Sequence, residues 1–223
     1  MRGRLITIEG TDASGKTTQL KLLSQRLVRE GIRFKNIGFP RYDDDSSALV
    51  RMYLGGEFGE NIKDVNAYAA SCFFAVDRVA SYLREWKDYL SDGGNVILDR
   101  YTTSNAIYQA SKLPENERER FCDWLFDFEY RLLELPAPDV VIFLDMPADC
   151  AEKLMKKRGN TEDIHERDKE YMKKCYLSAK SLSERYGWKR IECGKNGIIR
   201  TKEDIHEEIF RAVMSELEQR GLH

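Results

Sequence analysis

The sequence predicts an α/β fold in which a five-stranded, mainly parallel sheet carries helices on both faces. Short apolar runs alternate with longer amphipathic stretches along the chain, which is the pattern of a doubly wound sheet. Residues 139–145 are apolar between two acids, as expected of a central strand buried on both faces. The 223 residues contain no internal repeat or convincing linker, so we expect one domain spanning residues 1–223.

Composition narrows the class of protein. Hydrophobic residues make up 42% and charged residues 33% of the chain, as in globular rather than disordered proteins. The net charge of −2 argues against a general attraction to nucleic acid or anionic membranes, and no apolar stretch is long enough to span a bilayer. The five cysteines include no C-x-x-C pair, which disfavours a disulfide framework or zinc site and favours a cytoplasmic location.

The first half of the chain supplies three predicted strands. An apolar strand over residues 5–8 leads into an amphipathic helix that ends near Gly31, where glycine can adopt a left-handed terminating conformation. A second strand, over residues 34–39, stops at a proline. An aromatic-rich helix is then predicted over residues 64–90. Two glycines separate it from a third strand over residues 95–99.

The second half continues the alternation. Prolines separate the next elements, and a polar segment at about residues 156–167 has the composition of a small mobile lid. The remaining predicted elements are helix 116–135, strand 139–145, helix 147–158, helix 166–186, strand 188–193 and a final helix capped at Thr201.

One segment fits the phosphate-loop pattern G-x-x-x-x-G-K-[ST] and lies between a predicted strand and a predicted helix. There, consecutive backbone N–H groups and the positive end of a helix point at one anion, which predicts a fold of the P-loop NTP hydrolase type. We expect Lys16 to reach the β- and γ-phosphates of ATP and the Thr17 hydroxyl to ligate Mg²⁺. The alternative is a turn that only ends a strand. The predicted ATP-binding residues are Gly10, Thr11, Asp12, Ala13, Ser14, Gly15, Lys16, Thr17 and Thr18.

Acidic residues end two of the predicted strands. Asp99 follows an apolar run, the position at which P-loop proteins hold Mg²⁺ or its water shell, so we predict Asp99 and Thr17 as the magnesium-binding residues. For Asp145 we favour a structural role over a catalytic one. We interpret the acidic run at residues 43–45 as a solvated turn rather than a metal site.

Three arginines follow strand ends or lie on helices near the predicted phosphate site, namely Arg41, Arg78 and Arg100. Phosphoryl transfer requires two phosphates held in line and neutralisation of the charge on the transferred group. Several arginines around one phosphate loop therefore indicate a second phosphorylated ligand as acceptor, whereas a plain ATPase would need fewer.

Four motifs together resemble the thymidylate kinase family of nucleoside monophosphate kinases. Their order and spacing extend the resemblance over almost the whole chain. The resemblance implies an enzyme that uses ATP and Mg²⁺ to convert dTMP into dTDP, and it implies a homodimer. The motifs are Ile8-Glu9-Gly10-x-Asp12-x-x-Gly15-Lys16-Thr17-Thr18, Phe39-Pro40-Arg41, Phe74-x-x-x-Arg78 and Asp99-Arg100-Tyr101-x-x-Ser104.

The resemblance also implies roles for single residues around the acceptor. Asp12 would hold the sugar hydroxyl of dTMP, and Arg41 and Arg100 would hold phosphates. Ser104 and Tyr108 would complete the acceptor pocket.

A further pair, Phe74 and Arg78, would read the base. By resemblance, Phe74 stacks on thymine and Arg78 bonds a base oxygen. Residues at i and i+4 share a helix face, so a flat ring and a planar donor can grip one pyrimidine from its face and its edge. The alternatives are a core aromatic for Phe74 and a surface ion pair with Asp77 or Glu85 for Arg78.

The sequence departs from the family in two places. Ala13 stands where some members carry a basic residue, and the predicted lid lacks the Arg-x-Glu signature that many members have. A basic lid must then meet the charge on the transferred phosphoryl group, and Arg158 is the first candidate because a guanidinium can hold two phosphate oxygens at once. The alternative is a solvated helix end. The predicted catalytic residues are Lys16, Asp12, Arg100 and Arg158.

Two other functions compete with this one. A deoxynucleoside kinase on a similar fold would phosphorylate a sugar hydroxyl and would need a general base there instead of a phosphate clamp. A non-catalytic nucleotide-binding regulator would keep the loop and lose transfer. The presence of Arg41 disfavours the first, and the joint presence of Lys16, Thr17, Asp99 and Arg100 disfavours the second. In each case the partners are small nucleotides and not nucleic acid.

Overall fold

The structure is a computed structural model that describes residues 2–158 and 168–218. Within them, one parallel sheet of five strands forms the centre of the molecule, in the order β2-β3-β1-β4-β5. This confirms the predicted fold class. The strands are β1 (Leu5–Glu9), β2 (Phe34–Gly38), β3 (Asn95–Asp99), β4 (Val140–Asp145) and β5 (Lys189–Glu192).

Helices connect the strands, and two of the predicted ones are interrupted. The predicted helices 64–90 and 116–135 each contain a π-helical turn, at Tyr82–Trp86 and Asp127–Leu132. Hydrophobic spacing cannot locate such a turn, since it adds one residue to a pattern that continues on both sides. The helices are α1 (Lys16–Arg29), α2 (Ala48–Leu54), α3 (Ala67–Ser81), α4 (Lys87–Ser91), α5 (Thr102–Tyr108), α6 (Glu115–Phe126), α7 (Ala148–Arg158), α8 (Lys169–Arg185) and α9 (Lys202–Glu218).

Strand side chains alternate between the two faces of the sheet, so that neighbouring residues pack in different hydrophobic clusters. Ile142 of β4 packs in the core that α1 and α9 cover, whereas its neighbour Phe143 packs in the core that α5, α6 and α8 cover. A parallel strand with helices over both faces must be apolar on both sides, which explains the unbroken apolar run in β4.

The register of the sheet brings the two predicted halves of the nucleotide site together. β1 lies between β3 and β4, and Ile8 of β1 is opposite Asp99 of β3. The loop that follows β1 and the carboxylate that ends β3 therefore lie at the same edge of the sheet, where α/β proteins bind their ligands.

Near the C-terminus the structure contains one element that the sequence did not predict. β6 (Gly194–Lys195) and β7 (Ile198–Ile199) form a small antiparallel hairpin around Asn196 and Gly197, which both have positive φ. Strands of two residues are too short to show an alternating pattern. The predicted cap of the last helix is confirmed, since the backbone N–H of Asp204 donates to the Thr201 hydroxyl at 3.1 Å.

All five cysteines are free thiols, in agreement with the predicted absence of a disulfide framework. Among the described helices, none has both the length and the apolar character needed to cross a membrane. The predicted lid falls almost wholly outside the described residues. α7 ends at Arg158, whose side chain also lies outside them, so the lid and the catalytic role of Arg158 stay predictions.

Candidate active site

A cavity of about 680 Å³ opens at the carboxyl ends of β1 and β3. The loop after β1, the turn after β2, one face of α3 and the start of α5 form its wall, so most of the predicted site residues meet in one place. Its size is that of a site for small organic ligands. The predicted residues that line it are Asp12, Ala13, Ser14, Gly15, Lys16, Thr17, Thr18, Phe74, Arg78, Asp99, Arg100, Ser104 and Tyr108.

The phosphate loop curls around its own lysine. Gly10 must be glycine because a Cβ there would lie 2.5 Å from the Ser14 hydroxyl oxygen. Ala13 and Gly15 adopt left-handed backbone conformations, with φ of 57° and 87°, and α1 begins at Lys16. The Lys16 ammonium donates to the Gly10 carbonyl at 2.8 Å. It also donates to the Thr11 carbonyl at 3.3 Å.

The environment of Lys16 makes its charge sensitive to pH. Burial and the neighbouring Arg100 lower the pKa of Lys16 to about 8, although Asp12 and Asp99 oppose the shift. The side chain is therefore an ammonium at neutral pH and loses its proton above pH 8.

Asp12, Arg100 and Tyr108 form a cluster that joins the phosphate loop to α5. Arg100 Nη2 donates to Asp12 Oδ1 at 2.5 Å, and the Tyr108 hydroxyl donates to Asp12 Oδ2 at 3.0 Å. Burial raises the pKa of Tyr108 well above its ordinary value, so the phenol is neutral. Arg100 has a φ of 66°, an uncommon backbone conformation for this residue type that is often found at functional sites.

The two predicted magnesium ligands lie on this cavity. Asp99 Oδ1 is buried and has no hydrogen-bond partner among the described residues, and the Thr17 side chain is exposed at the start of α1. An unpartnered carboxylate oxygen and a hydroxyl beside a phosphate loop fit Mg²⁺, which binds through one or two protein oxygens, water and substrate phosphates.

The residues expected to read the base lie together on α3. Phe74 is half-buried on the cavity wall, and Arg78 is 1% exposed. Arg78 binds the buried carboxylate of Glu129 through Nε at 2.7 Å and Nη2 at 2.6 Å. Burial alone would lower the pKa of Arg78, but the Glu129 carboxylate raises it above its ordinary value. The alternative of a surface pair with Asp77 or Glu85 is wrong, because Arg78 is interior.

Gln109 is a polar residue of the cavity that the sequence analysis did not predict. Both Gln109 Oε1 and Gln109 Nε2 are buried at the cavity and have no hydrogen-bond partner in the part of the chain that the structure describes. Buried amides are normally paired, so an unpaired one that faces a cavity indicates a ligand. The sequence offered only the position of Gln109 directly after the predicted pocket residue Tyr108.

Arg41 does not line the cavity, unlike the neighbouring Tyr42. Its Nε donates to Asp44 at 3.1 Å and its Nη2 to Glu85 at 2.8 Å. We expected Arg41 beside the phosphate loop if β2 is parallel to β1; the two strands are parallel, but β3 lies between them. Asp44, in the acidic turn that we interpreted as solvated, is therefore part of an ion pair.

Glu9 is a buried carboxylate that holds the start of α5, a role that the sequence did not indicate. It is 0% exposed and accepts hydrogen bonds from the Tyr101 backbone N–H at 3.1 Å and from the hydroxyls of Thr103 and Ser104 at 2.6 and 2.8 Å. Burial raises the pKa of Glu9, against the influence of Arg100. The Ser104 hydroxyl, expected to complete the pocket, is thus engaged by this carboxylate.

The surroundings of Asp145 are consistent with the structural role that we favoured. Its side chain is buried at the end of β4 and receives a hydrogen bond from Arg190 Nε at 2.5 Å. It is not among the residues that line the cavity.

Comparison with known proteins identifies the family. The thymidylate kinase family model matches residues 8–209. The chain is 35% identical to a thymidylate kinase of Mycobacterium tuberculosis over 74% of this chain and 79% of the relative. It is 30% identical to a probable thymidylate kinase of Pyrococcus horikoshii over 97% and 98% of the two chains. A thymidylate kinase structure from Candida albicans superposes with a TM-score of 0.71 at 25% identity, over 96% and 92% of the chains. The chain therefore belongs to the thymidylate kinase family.

Proposed function

We propose that the cavity binds MgATP at the phosphate loop and dTMP beside α3, and that the γ-phosphoryl group passes from one to the other to give ADP and dTDP. The observation that carries this proposal is the continuity of the cavity from Lys16 to Phe74 and Gln109. Donor and acceptor can thus lie in one space, as phosphoryl transfer in line requires. Arg100 touches both walls and is placed to meet the phosphates of either nucleotide.

The residues of the donor side act mainly by position and charge. Lys16 leaves its carbonyl acceptor and binds the β- and γ-phosphates, while backbone N–H groups at the start of α1 hold phosphate oxygens. Thr17 and Asp99 hold Mg²⁺, which neutralises phosphate charge when bound.

On the acceptor side, Asp12 accepts a hydrogen bond from the sugar hydroxyl, and Phe74 stacks on the base. Thymine offers carbonyl oxygens and one N–H on its edge, and the unpartnered Gln109 amide supplies a complementary donor and acceptor. For Arg41 to hold a phosphate, the phosphate must replace the carboxylates of Asp44 and Glu85.

An ADP-release assay with a panel of deoxynucleosides and deoxynucleoside monophosphates tests this function. We expect dTMP to be the best acceptor and thymidine to be inert, because a nucleoside leaves the phosphate-binding arginines empty. Faster turnover of thymidine than of dTMP would favour the deoxynucleoside kinase. No ADP release with any acceptor would favour the nucleotide-binding regulator.

We also propose that the enzyme is a cytoplasmic homodimer. The free cysteines favour a reducing compartment. Val76 on α3 is 53% exposed, and Leu83, in the π-helical turn that follows α3, is 60% exposed. Leu132 is 58% exposed on the segment Asp127–Leu132, which the Arg78–Glu129 pair ties to α3. Such an apolar surface fits a second copy of the chain.

Light scattering after gel filtration tests the dimer. We expect the wild type to be a dimer and the Val76→Glu variant a monomer. Val28→Glu is the matched control, because Val28 is 68% exposed on α1 and lies outside this surface. A monomeric wild type, or a Val76→Glu variant that is still a dimer, would contradict the proposal.

A further inference from the structure

Three consecutive hydroxyl side chains at the start of α5 lie between two buried carboxylates. Thr103 and Ser104 donate to Glu9, at 2.6 and 2.8 Å, whereas Thr102 donates to Glu129 Oε2 at 2.8 Å. Glu9 and Glu129 are both 0% exposed. The segment that leads from Arg100 to Gln109 is therefore held from two sides, by the β1 end and by the segment after α6.

Glu129 differs from Glu9 in having an arginine as its second partner. Its two oxygens bind Nε and Nη2 of Arg78, which fixes the plane of the guanidinium and leaves Nη1 as the nitrogen that this pair does not use. Such two-point pairing sets direction as well as charge. Glu129 itself is fixed by a backbone bond from Leu135 N–H to its carbonyl at 3.0 Å.

We propose that Glu129 is a positioning residue that gives this enzyme its selectivity for the acceptor base, by aiming the Arg78 guanidinium at the carbonyl oxygen on C4 of a pyrimidine. The proposal rests on the proposed function and on the base-reading role that the resemblance implies for Arg78. Thymine carries a hydrogen-bond acceptor at C4 and cytosine carries an amino donor there. A guanidinium donates only, so a fixed one favours the carbonyl base and leaves cytosine unpaired.

The link through Thr102 makes the arrangement more than a structural ion pair. One Glu129 oxygen accepts from both Arg78 Nε and the Thr102 hydroxyl, so the carboxylate orients α3 and α5 relative to each other. These helices carry Phe74 and Gln109 to the two sides of the acceptor pocket. A shift of Glu129 therefore changes the position of the groups that face the base and leaves the phosphate loop in place.

The test compares kcat/KM for dTMP with kcat/KM for dCMP in the full-length enzyme. We expect Glu129→Gln to lower this ratio by at least about tenfold, because the neutral amide cannot accept from both guanidinium nitrogens. Glu9→Gln is the matched control, since it removes an equally buried carboxylate from the same turn but does not contact Arg78. We expect it to change kcat more than the ratio. An unchanged ratio in Glu129→Gln, or an equal loss in Glu9→Gln, would overturn the proposal.

A second variant and a double variant make the result decisive. Glu129→Asp keeps the charge on a shorter side chain. We expect this variant to fold and to lower the ratio less than Glu129→Gln does. If circular dichroism shows that Glu129→Gln does not fold, Glu129→Asp becomes the test of the positioning role. An unchanged ratio in Glu129→Asp would then overturn the proposal. Adding Glu129→Gln to Arg78→Ala should lower the ratio by less than Glu129→Gln lowers it in the wild type, because Glu129 acts mainly through Arg78.

The same series separates this proposal from the proposed function. If Arg78→Ala has the wild-type ratio, base reading by Arg78 is wrong and the present proposal falls with it. If Arg78→Ala lowers the ratio and both Glu129 variants do not, only the positioning role is wrong.

Discussion

The phosphate loop and the acceptor pocket share one cavity but are built in different ways. The loop is a single run of nine residues whose ligand-binding groups are mostly backbone N–H groups, and its shape follows from Gly10, Gly15 and the start of α1. The acceptor pocket takes side chains from α3, α5 and the turn after β2, and buried carboxylates from other elements orient two of its polar groups.

This difference predicts how each region responds to mutation. In the loop, the chemistry depends on one side chain, that of Lys16, so removal of that group should be severe and local. In the acceptor pocket, the binding free energy is spread over stacking, hydrogen bonds and the residues behind them, so single changes should be smaller and should affect dTMP more than ATP.

The largest effect is expected in the loop. Lys16→Ala should lower phosphoryl transfer by about 10³-fold or more, because it removes the ammonium that the loop would place at the β- and γ-phosphates. Lys112→Ala is the control, since Lys112 donates to the Val65 carbonyl at 2.9 Å and does not line the cavity. Turnover and circular dichroism of both variants are the measurements. Near wild-type turnover in a folded Lys16→Ala variant would show that the loop is not the donor site.

The next effect concerns the end of α7, where the predicted lid begins. Arg158→Ala should reduce kcat by at least about a hundredfold with little change in dTMP affinity, because the contact forms mainly in the transition state. Lys153→Ala, on the same helix, is the control, since Lys153 donates to the Gly197 carbonyl at 2.7 Å. A kcat within a few-fold of wild type would remove Arg158 from the mechanism.

A smaller effect is expected in the acceptor pocket. Phe74→Ala should weaken dTMP binding by about 1–3 kcal/mol, the scale of base stacking on an aromatic ring, and leave ATP affinity nearly unchanged. Phe73→Ala controls for packing, since Phe73 and Phe74 both contact Tyr53 but only Phe74 lines the cavity. Titration calorimetry with each nucleotide provides the comparison. Equal losses for dTMP and ATP would contradict the assignment of Phe74 to the base.

The smallest effect is a pH dependence of ATP binding. ATP binds the ammonium form of Lys16, whose pKa is about 8 in the nucleotide-free protein. Affinity should therefore be constant below about pH 8 and should fall by up to about tenfold per unit above it, as binding takes up a proton. Lys16→Arg should abolish this dependence, because arginine stays charged. Lys112→Arg should retain it, although the pKa of Lys112 is also lowered to about 8, by burial. The same fall in the Lys16→Arg variant would assign it to another group.

Much of the fold and of the donor site could be predicted from sequence, because their signals are local. The apolar run of β4 and the alternation of strands and helices predicted the parallel sheet, which the structure confirms. The phosphate loop is contiguous, so its residues could be named together. The resemblance pairs Phe74 with Arg78, and helix geometry supports the pair because it places i and i+4 on one face.

Other features required the tertiary structure. Strand order placed β3 between β1 and β2, which separates Arg41 from the phosphate loop and leaves it with Asp44 and Glu85. No local pattern marks the order of parallel strands, because every strand in such a sheet is apolar in the same way.

The sequence by itself determined the parallel sheet and the phosphate-loop motif, and its motifs resemble the family that the comparisons identify. Only the tertiary structure decided which buried carboxylates hold the site residues in place. Glu129 is 51 residues from Arg78 in the chain, and the two meet because α3 and the segment after α6 pack side by side. In the sequence, an acidic residue that becomes buried cannot be distinguished from one at the surface. Its burial depends on a partner that is distant in the chain and that only folding brings close.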